Sequence, residues 1–399
     1  MFRNVLDIPL GVRLISWATA IRFIGWGFAE SFIPIFLLSF AHNYTDTGLL
    51  RSIFDIVFLL SLPIVSHFAN RISGKKIILS GLVLYPFIAL SYYLAGAFGM
   101  VAFILVARVL NGVSFSLDSV GRRTYMRRVS HNNVGELFGY YDTVSSFWWI
   151  VAGIVGLFLI KFIAIHVLLL AIIPTVLIAI AIVSRVPAER VSKPLASKGI
   201  WGEVIRDYKE MFSFIRNWSL EQKYLGSLYG LMGVIFVVVT FFVPLVAFVN
   251  SQSYTTIFLL TALSIAPYLF GVPIGFLADR AHEKSVRTIA CLAVGLLATL
   301  AFVNSIYLIY LIVFSISVCV YFVMLVLERL ATEHEKKLKM GSLSGAFLSI
   351  YQLTQVLAPV CIGFFIDSVS ISFAIITVSV IGFMVILPMY VLDIKMFEK

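Results

Sequence analysis

Five ionisable residues stand well inside apolar runs of this sequence: Arg22, Glu30, Asp55, Arg108 and Asp142. An arginine at the centre of an apolar helix costs about 2.5–3.5 kcal/mol on insertion scales, so each such residue needs a partner or a wet cavity. Their types define the chemistry. A carboxyl stripped of water favours its protonated form, and a nearby guanidinium favours the charged one. A glutamate and an arginine within reach therefore make a site that can take up and release a proton. Depth along the runs places Glu30, Arg108 and Asp55 near one level, which makes them the candidate proton-coupling group. Arg22 and Asp142 share another level and are expected to pair. Arg51, one turn from Asp55, can pair with it at i,i+4. The competing reading is static ion pairing, and it is adopted here for Asp55 and for Arg22 with Asp142.

The runs that hold these residues fix the class of protein. Hydrophobic residues make up 61% of the 399 positions and charged residues 13%, against roughly 25% charged in a soluble domain. Apolar stretches of about twenty residues, enough to cross a bilayer as helix, recur along the whole chain. Twelve spans are expected: 13–41, 47–69, 77–98, 100–120, 135–160, 163–184, 224–250, 254–278, 287–305, 307–329, 342–366 and 370–392. The first run is too long for a cleaved signal and lacks a small-x-small site, so it is expected to remain as a span.

The net charge of +10 does not indicate nucleic acid. Lys and Arg gather in alternate short loops: Arg71, Lys75 and Lys76; Arg122, Arg123, Arg127 and Arg128; Arg280, Lys284 and Arg287; Lys336, Lys337 and Lys339. That is the positive-inside pattern, and an even span count puts both termini in the cytoplasm, with the plasma (inner) membrane as the expected location. Cys291, Cys319 and Cys361 lie in apolar segments without ligand spacing and read as packing residues. No Walker loop, metal-spaced cluster or nucleophile–base arrangement stands out, so no enzyme activity, cofactor or metal site is expected. Asn43 begins a glycosylation-type triplet, a pattern common by chance.

The longest polar stretch, 185–223, divides the chain into a unit over 1–184 and a unit over 224–399. Within it Trp201, Val204, Ile205, Tyr208, Met211, Phe212 and Ile215 recur at helical spacing between charges, as in an amphipathic helix on a membrane surface. The two units repeat one another. Pro34 and Pro244, Pro63 and Pro273, and Asp118 and Glu328 are each 210 residues apart; Asn70-Arg71 and Asp279-Arg280 are 209 apart. Five such matches, counting GELFG at 135–139 with GSLSG at 341–345, mark a parallel repeat of two six-helix bundles. Repeats of this kind place a substrate site at their interface near the bilayer midplane.

At the loops the chain resembles the major facilitator superfamily over essentially its whole length. The family signature G-x-L-A-D-R-x-G-x-(R/K)-(R/K) is matched by SHFANRISGKK, Ser66 to Lys76, and by GFLADRAHEK, Gly275 to Lys284. The resemblance implies an all-α fold of 12 transmembrane helices in two pseudo-symmetric bundles. It also implies a gate in which Arg71 pairs with Asp118 and Arg280 with Glu328, with Asn70 and Asp279 meeting helix starts. RVLNG, Arg108 to Gly112, resembles the span-four motif R-x-x-Q-G, associated in the family with proton coupling and with an acid in span one.

The repeat partners of Glu30 and Asp55 are the neutral Thr240 and Ile265. A division of labour follows, with the proton site in the first bundle and apolar and amide contacts in the second. The expected substrate cavity draws on Trp26, Asn111, Tyr141, Thr240, Tyr351, Gln352 and Gln355. The function expected is secondary active transport of a small organic solute by alternating access, coupled to protons. The partners are that solute, protons and membrane lipid, and the chain is expected to act as a monomer. Efflux of a lipophilic or cationic compound is the leading reading, although span five lacks the proline of the family's drug antiporters. A proton symporter for a sugar or other nutrient stands beside it. A lipid flippase and a non-transporting receptor on the same scaffold are the remaining alternatives.

Overall fold

The structure, a computed structural model, describes residues 8–69, 71–129, 134–189, 202, 218–251, 253–281, 283–338 and 343–391. All regular structure among them is helical. In the first half, α1 (Leu10–Gly27) passes through a 3₁₀ turn (Glu30–Phe32) into α2 (Ile33–Leu38). There follow α3 (Tyr44–Ala69), α4 (Gly74–Leu82), α5 (Tyr85–Phe98), α6 (Val101–Val129), α7 (Val134–Leu159), α8 (Ile165–Leu168) and α9 (Ile172–Ser184). In the second half, α10 (Leu220–Val237) runs through a π segment (Val238–Phe242) into α11 (Val243–Ser251). Then come α12 (Tyr254–Ile265), a 3₁₀ segment (Ala266–Phe270), α13 (Gly271–Arg280), α14 (Glu283–Leu300), α15 (Ile306–Leu338), α16 (Leu343–Ser368) and α17 (Ile371–Val391).

Among the described residues, ten helical stretches are long and apolar enough to cross a membrane, and the bent pair α1–α2 is an eleventh. The remaining long helix is α14, at the place of the expected ninth span; Glu283, Lys284 and Arg287 in its first turns make it less apolar than the rest. The protein is an integral, multi-pass membrane protein.

Two prolines stand where spans break, while Pro63, Pro359 and Pro388 lie inside continuous helices. A proline cannot donate to the carbonyl four residues back, and its ring crowds that carbonyl. Pro34 stands four residues after Glu30, where the chain leaves α-helix for a 3₁₀ turn and bends by 43°. Pro244 stands four residues after Thr240, the centre of the π segment. The two breaks occupy equivalent places in the repeat, and each puts a candidate site residue at an irregular turn. Irregular turns of this kind free backbone groups and often mark functional positions.

Two compact units form: Met1–Phe40, Ile53–Ile205 and Tyr268–Val272 in one, Ala41–Ser52, Arg206–Pro267 and Pro273–Lys399 in the other. In the first, α1 packs on α7 and α9, and α6 packs on α4 and α5. Gly112 of α6 lets that helix approach α3 closely, since a Cβ there would lie 2.7 Å from the Phe54 carbonyl oxygen. In the second unit α10 packs on α16, and α14 packs on α15 and α17. Ser219 and Gln222 form a capping box that starts α10.

The start of α3 belongs to the second unit and is capped twice. Asn43 Oδ1 accepts from Asp46 N at 2.8 Å. Asp367, at the end of α16, accepts from Tyr44 N at 3.0 Å, Thr45 N at 2.8 Å and Thr45 Oγ1 at 2.6 Å. A carboxylate at a helix N-terminus satisfies orphan N–H groups and complements the dipole. The expected amphipathic helix around 201–215 lies outside the described residues, Gly202 excepted.

Candidate functional site

In the first unit a polar cluster crosses four helices. Arg22 of α1 is 1% exposed, so its charge demands compensation. Its Nη2 donates to Asp118 Oδ2 of α6 at 3.1 Å, and its Nη1 donates to Tyr85 Oη of α5. Its Nε finds no partner. The guanidinium also lies 4.9 Å from the Tyr85 ring centroid and 5.1 Å from that of Phe23. Asp118, 2% exposed, serves a second cation: Arg122 Nη1, one turn on, is 4.0 Å from the same oxygen. Arg122 in turn lies over the Tyr141 ring of α7 at 4.0 Å. Tyr141 is buried, and its hydroxyl has no partner.

Glu30 sits at the proline-made bend, two turns beyond Arg22. Its Oε2 accepts a hydrogen bond from the Trp149 indole N–H of α7. Glu30 and Arg22 also attract each other through space. Trp26 packs edge-on against Tyr85 and Tyr92, at 6.1 and 6.3 Å between centroids. Arg108 is buried, 3.5 Å from Tyr92 Oη and 5.2 Å from the Phe54 ring centroid. Asp55 is buried on α3, and Asn111 is half-buried beside Gly112.

Asp118 pairs with Arg22 and also meets Arg122, partners that depth along the spans did not indicate. The reason is helix rotation: Asp118 and Arg22 both point into the bundle, and depth along a span says nothing of direction. Asp142, half-buried, attracts Arg122 through space.

In the second unit Arg51, Gln355 and Phe241 meet at the π segment. Arg51 lies 4.6 Å from the Phe241 ring centroid and donates through Nη2 to Gln355 Oε1 at 3.3 Å. Gln355 Nε2 donates to the Gly233 carbonyl at 2.8 Å. One turn back on α16, Gln352 is buried and its Oε1 has no partner. Thr240 Oγ1 donates to Phe236 O at 2.7 Å, and Tyr351 is half-buried.

The signature loops are held by residues to which the sequence assigned no gating role. Arg128, at the end of α6, donates to the carbonyls of Ala69 at 2.6 Å and Ile72 at 3.1 Å. Arg329 of α15 donates to the carbonyls of Ala278 at 2.8 Å and Ala281 at 2.9 Å. Each acceptor pair in one unit lies 209 residues from its counterpart in the other. The same grip thus recurs in both units. Glu189 adds to the first, accepting from Gly74 N at the start of α4 and from Arg128 Nη1 at 3.4 Å. Lys75 Nζ donates to Ser184 O and Val186 O. The sequence signal was position: arginines in the second span after a signature loop. Arg71 is half-buried, Arg280 lies over Phe276 at 3.9 Å, and Glu328 is exposed. Asn70 and the Asp279 side chain lie outside the described residues.

The sequence model of the Major Facilitator Superfamily matches residues 15–258, and the chain belongs to that family of transporters. Solved structures agree on the fold. The nucleoside transporter NupG aligns with TM-score 0.74 and 14% identity, covering 96% of this chain and 99% of its own. The human organic anion transporter MFSD10 (TETRAN) aligns with TM-score 0.67 and 13% identity, covering 95% and 99%. No curated protein matches the sequence.

Proposed function

We propose that this transporter moves a small organic solute by alternating access and is driven by protons. The observation that carries the reading is Glu30: a carboxyl at a proline-made bend inside a span, bonded to an indole and two turns from a buried arginine. Such a group can hold a proton in one arrangement of its neighbours and lose it in another. The loops rich in Lys and Arg then face the cytoplasm, with both termini on that side of the plasma (inner) membrane. The chain works as a monomer, because one copy carries both halves of the repeat.

Efflux of a lipophilic or cationic compound fits the acid in span one and the aromatic surroundings of Trp26, Tyr85 and Tyr92. A second reading, proton symport of a polar nutrient, is favoured by the second unit. There Gln352 Oε1 awaits a donor, and Arg51 and Gln355 offer polar edges beside Phe241. The structural neighbours, named for nucleosides and organic anions, share the fold and leave both readings standing.

The test is ligand binding followed by transport. Purified protein is screened by thermal shift against lipophilic cations, nucleosides, sugars, organic acids and lysolipids at about pH 6 and pH 8, since a ligand selective for the folded state raises the melting point. The hit is then assayed in liposomes with an imposed pH gradient. Glu30→Gln abolishes gradient-driven transport while binding and exchange persist. Undiminished gradient-driven transport in that variant would overturn the proton reading.

A further inference from the structure

Arg22 stands between two acids, and a third group stands ready for the acid it leaves. Its guanidinium is bonded to Asp118 and Tyr85, while its Nε has no partner. Eight residues on, Glu30 interacts with it electrostatically. Asp118 would not be orphaned if Arg22 moved, because Arg122 is already 4.0 Å from its Oδ2, over the Tyr141 ring and in the field of Asp142. Ser114, beside Tyr85, donates to Gly81 O at 2.9 Å. The titratable and charged groups of this cluster include Arg22 from α1, Glu30 from the 3₁₀ turn, Tyr85 and Tyr92 from α5, Arg108, Asp118, Arg122 and Arg123 from α6, Tyr141 and Asp142 from α7, and Tyr268 beside Asp142.

We propose that Arg22 is the mobile cation of the first unit, exchanged between Asp118 and Glu30 as Glu30 gains and loses its proton. With the proton on Glu30, Arg22 sits on Asp118, the arrangement seen here. When the proton leaves to water, the bare Glu30 carboxylate draws the guanidinium, and Asp118 passes to Arg122. The net change is one proton lost. No buried charge stands alone at either end of the exchange, which is the condition for a low-cost switch in a dry bundle. In this exchange Arg108 keeps its place beside Tyr92 and over Phe54. Arg22 and Arg122 are thus positioning residues for the proton site, and the proposal rests on the proton-coupled reading above.

The test needs no substrate. Purified protein carrying aspartate labelled with ¹³C at its carboxyl is titrated from about pH 5 to pH 9, a range that brackets shifted carboxyl groups, and followed by infrared difference spectroscopy. Expected are an unlabelled carboxyl C=O band that Glu30→Gln removes, and a shift in a labelled carboxylate stretch with the same midpoint. That shift disappears in Glu30→Gln and in Arg122→Gln, and survives in Asp142→Asn and in Arg108→Gln. A Glu30 band without the labelled shift overturns the exchange and leaves proton coupling intact. Absence of any Glu30 band overturns both. Persistence of the labelled shift in Arg122→Gln, or its loss in Arg108→Gln, overturns the assigned partners.

Discussion

A fully buried arginine is a liability that a single acid converts into a constraint. Arg22 and Asp118 each depend on the other, since removing one partner of a buried pair leaves an uncompensated charge worth roughly 3–5 kcal/mol. Asp118→Asn should therefore lower stability by about that amount, offset in part by Tyr85 and by Arg122's release. Arg22→Met with Asp118→Leu should recover most of the loss, because two apolar side chains of similar volume need no compensation. Denaturant or thermal unfolding in detergent measures both, and a double variant no more stable than Asp118→Asn would show that the pair is held by something other than mutual charge. At this scale the sequence showed which residues bear charge inside apolar runs. It left their partners open, because a partner is chosen by rotation about the helix axis, and only packing sets that rotation.

The helix is the scale at which the prolines act. Pro34 and Pro244 remove one backbone hydrogen bond each and displace the chain at Glu30 and Thr240 into a 3₁₀ turn and a π segment. An alanine at either place restores the donor, and the gain stays below the ~3 kcal/mol of an interior proline, because each proline is the second residue of its α-helix. Pro34→Ala and Pro244→Ala are thus expected to raise the melting temperature and to slow transport, read as Tm and as initial uptake rate in liposomes. A variant that is more stable and equally fast would show that the break serves packing alone. The prolines and their 210-residue spacing were plain in the sequence. Which irregular geometry each would produce was not, since a missing N–H can be absorbed by tightening or by widening the turn.

Across the whole molecule the repeat expresses itself as a shared grip on the signature loops. Arg128 holds Ala69 and Ile72, and Arg329 holds Ala278 and Ala281, each within its own unit. Truncating either to alanine strands two carbonyls, at about 1–3 kcal/mol. The two losses should add to within about 0.5 kcal/mol, because the sites share no partner. A double variant that departs from additivity by more than that in equilibrium unfolding would reveal coupling between the units. By itself the sequence determined the membrane class, the spans, the two-fold repeat, the family and the set of charges that the bilayer must tolerate. The class, the spans and the charges follow from hydropathy and length, the repeat from spacing, and the family from the resemblance of its loop motifs, all properties of a chain read in one dimension. The tertiary structure alone decided that Asp118 belongs to Arg22, that Glu30 leans on Trp149, and that Arg128 and Arg329 hold the loops. Each of those joins residues from different helices, and a contact between helices depends on tilt, rotation and close approach, none of which is written in the order of residues along a single span.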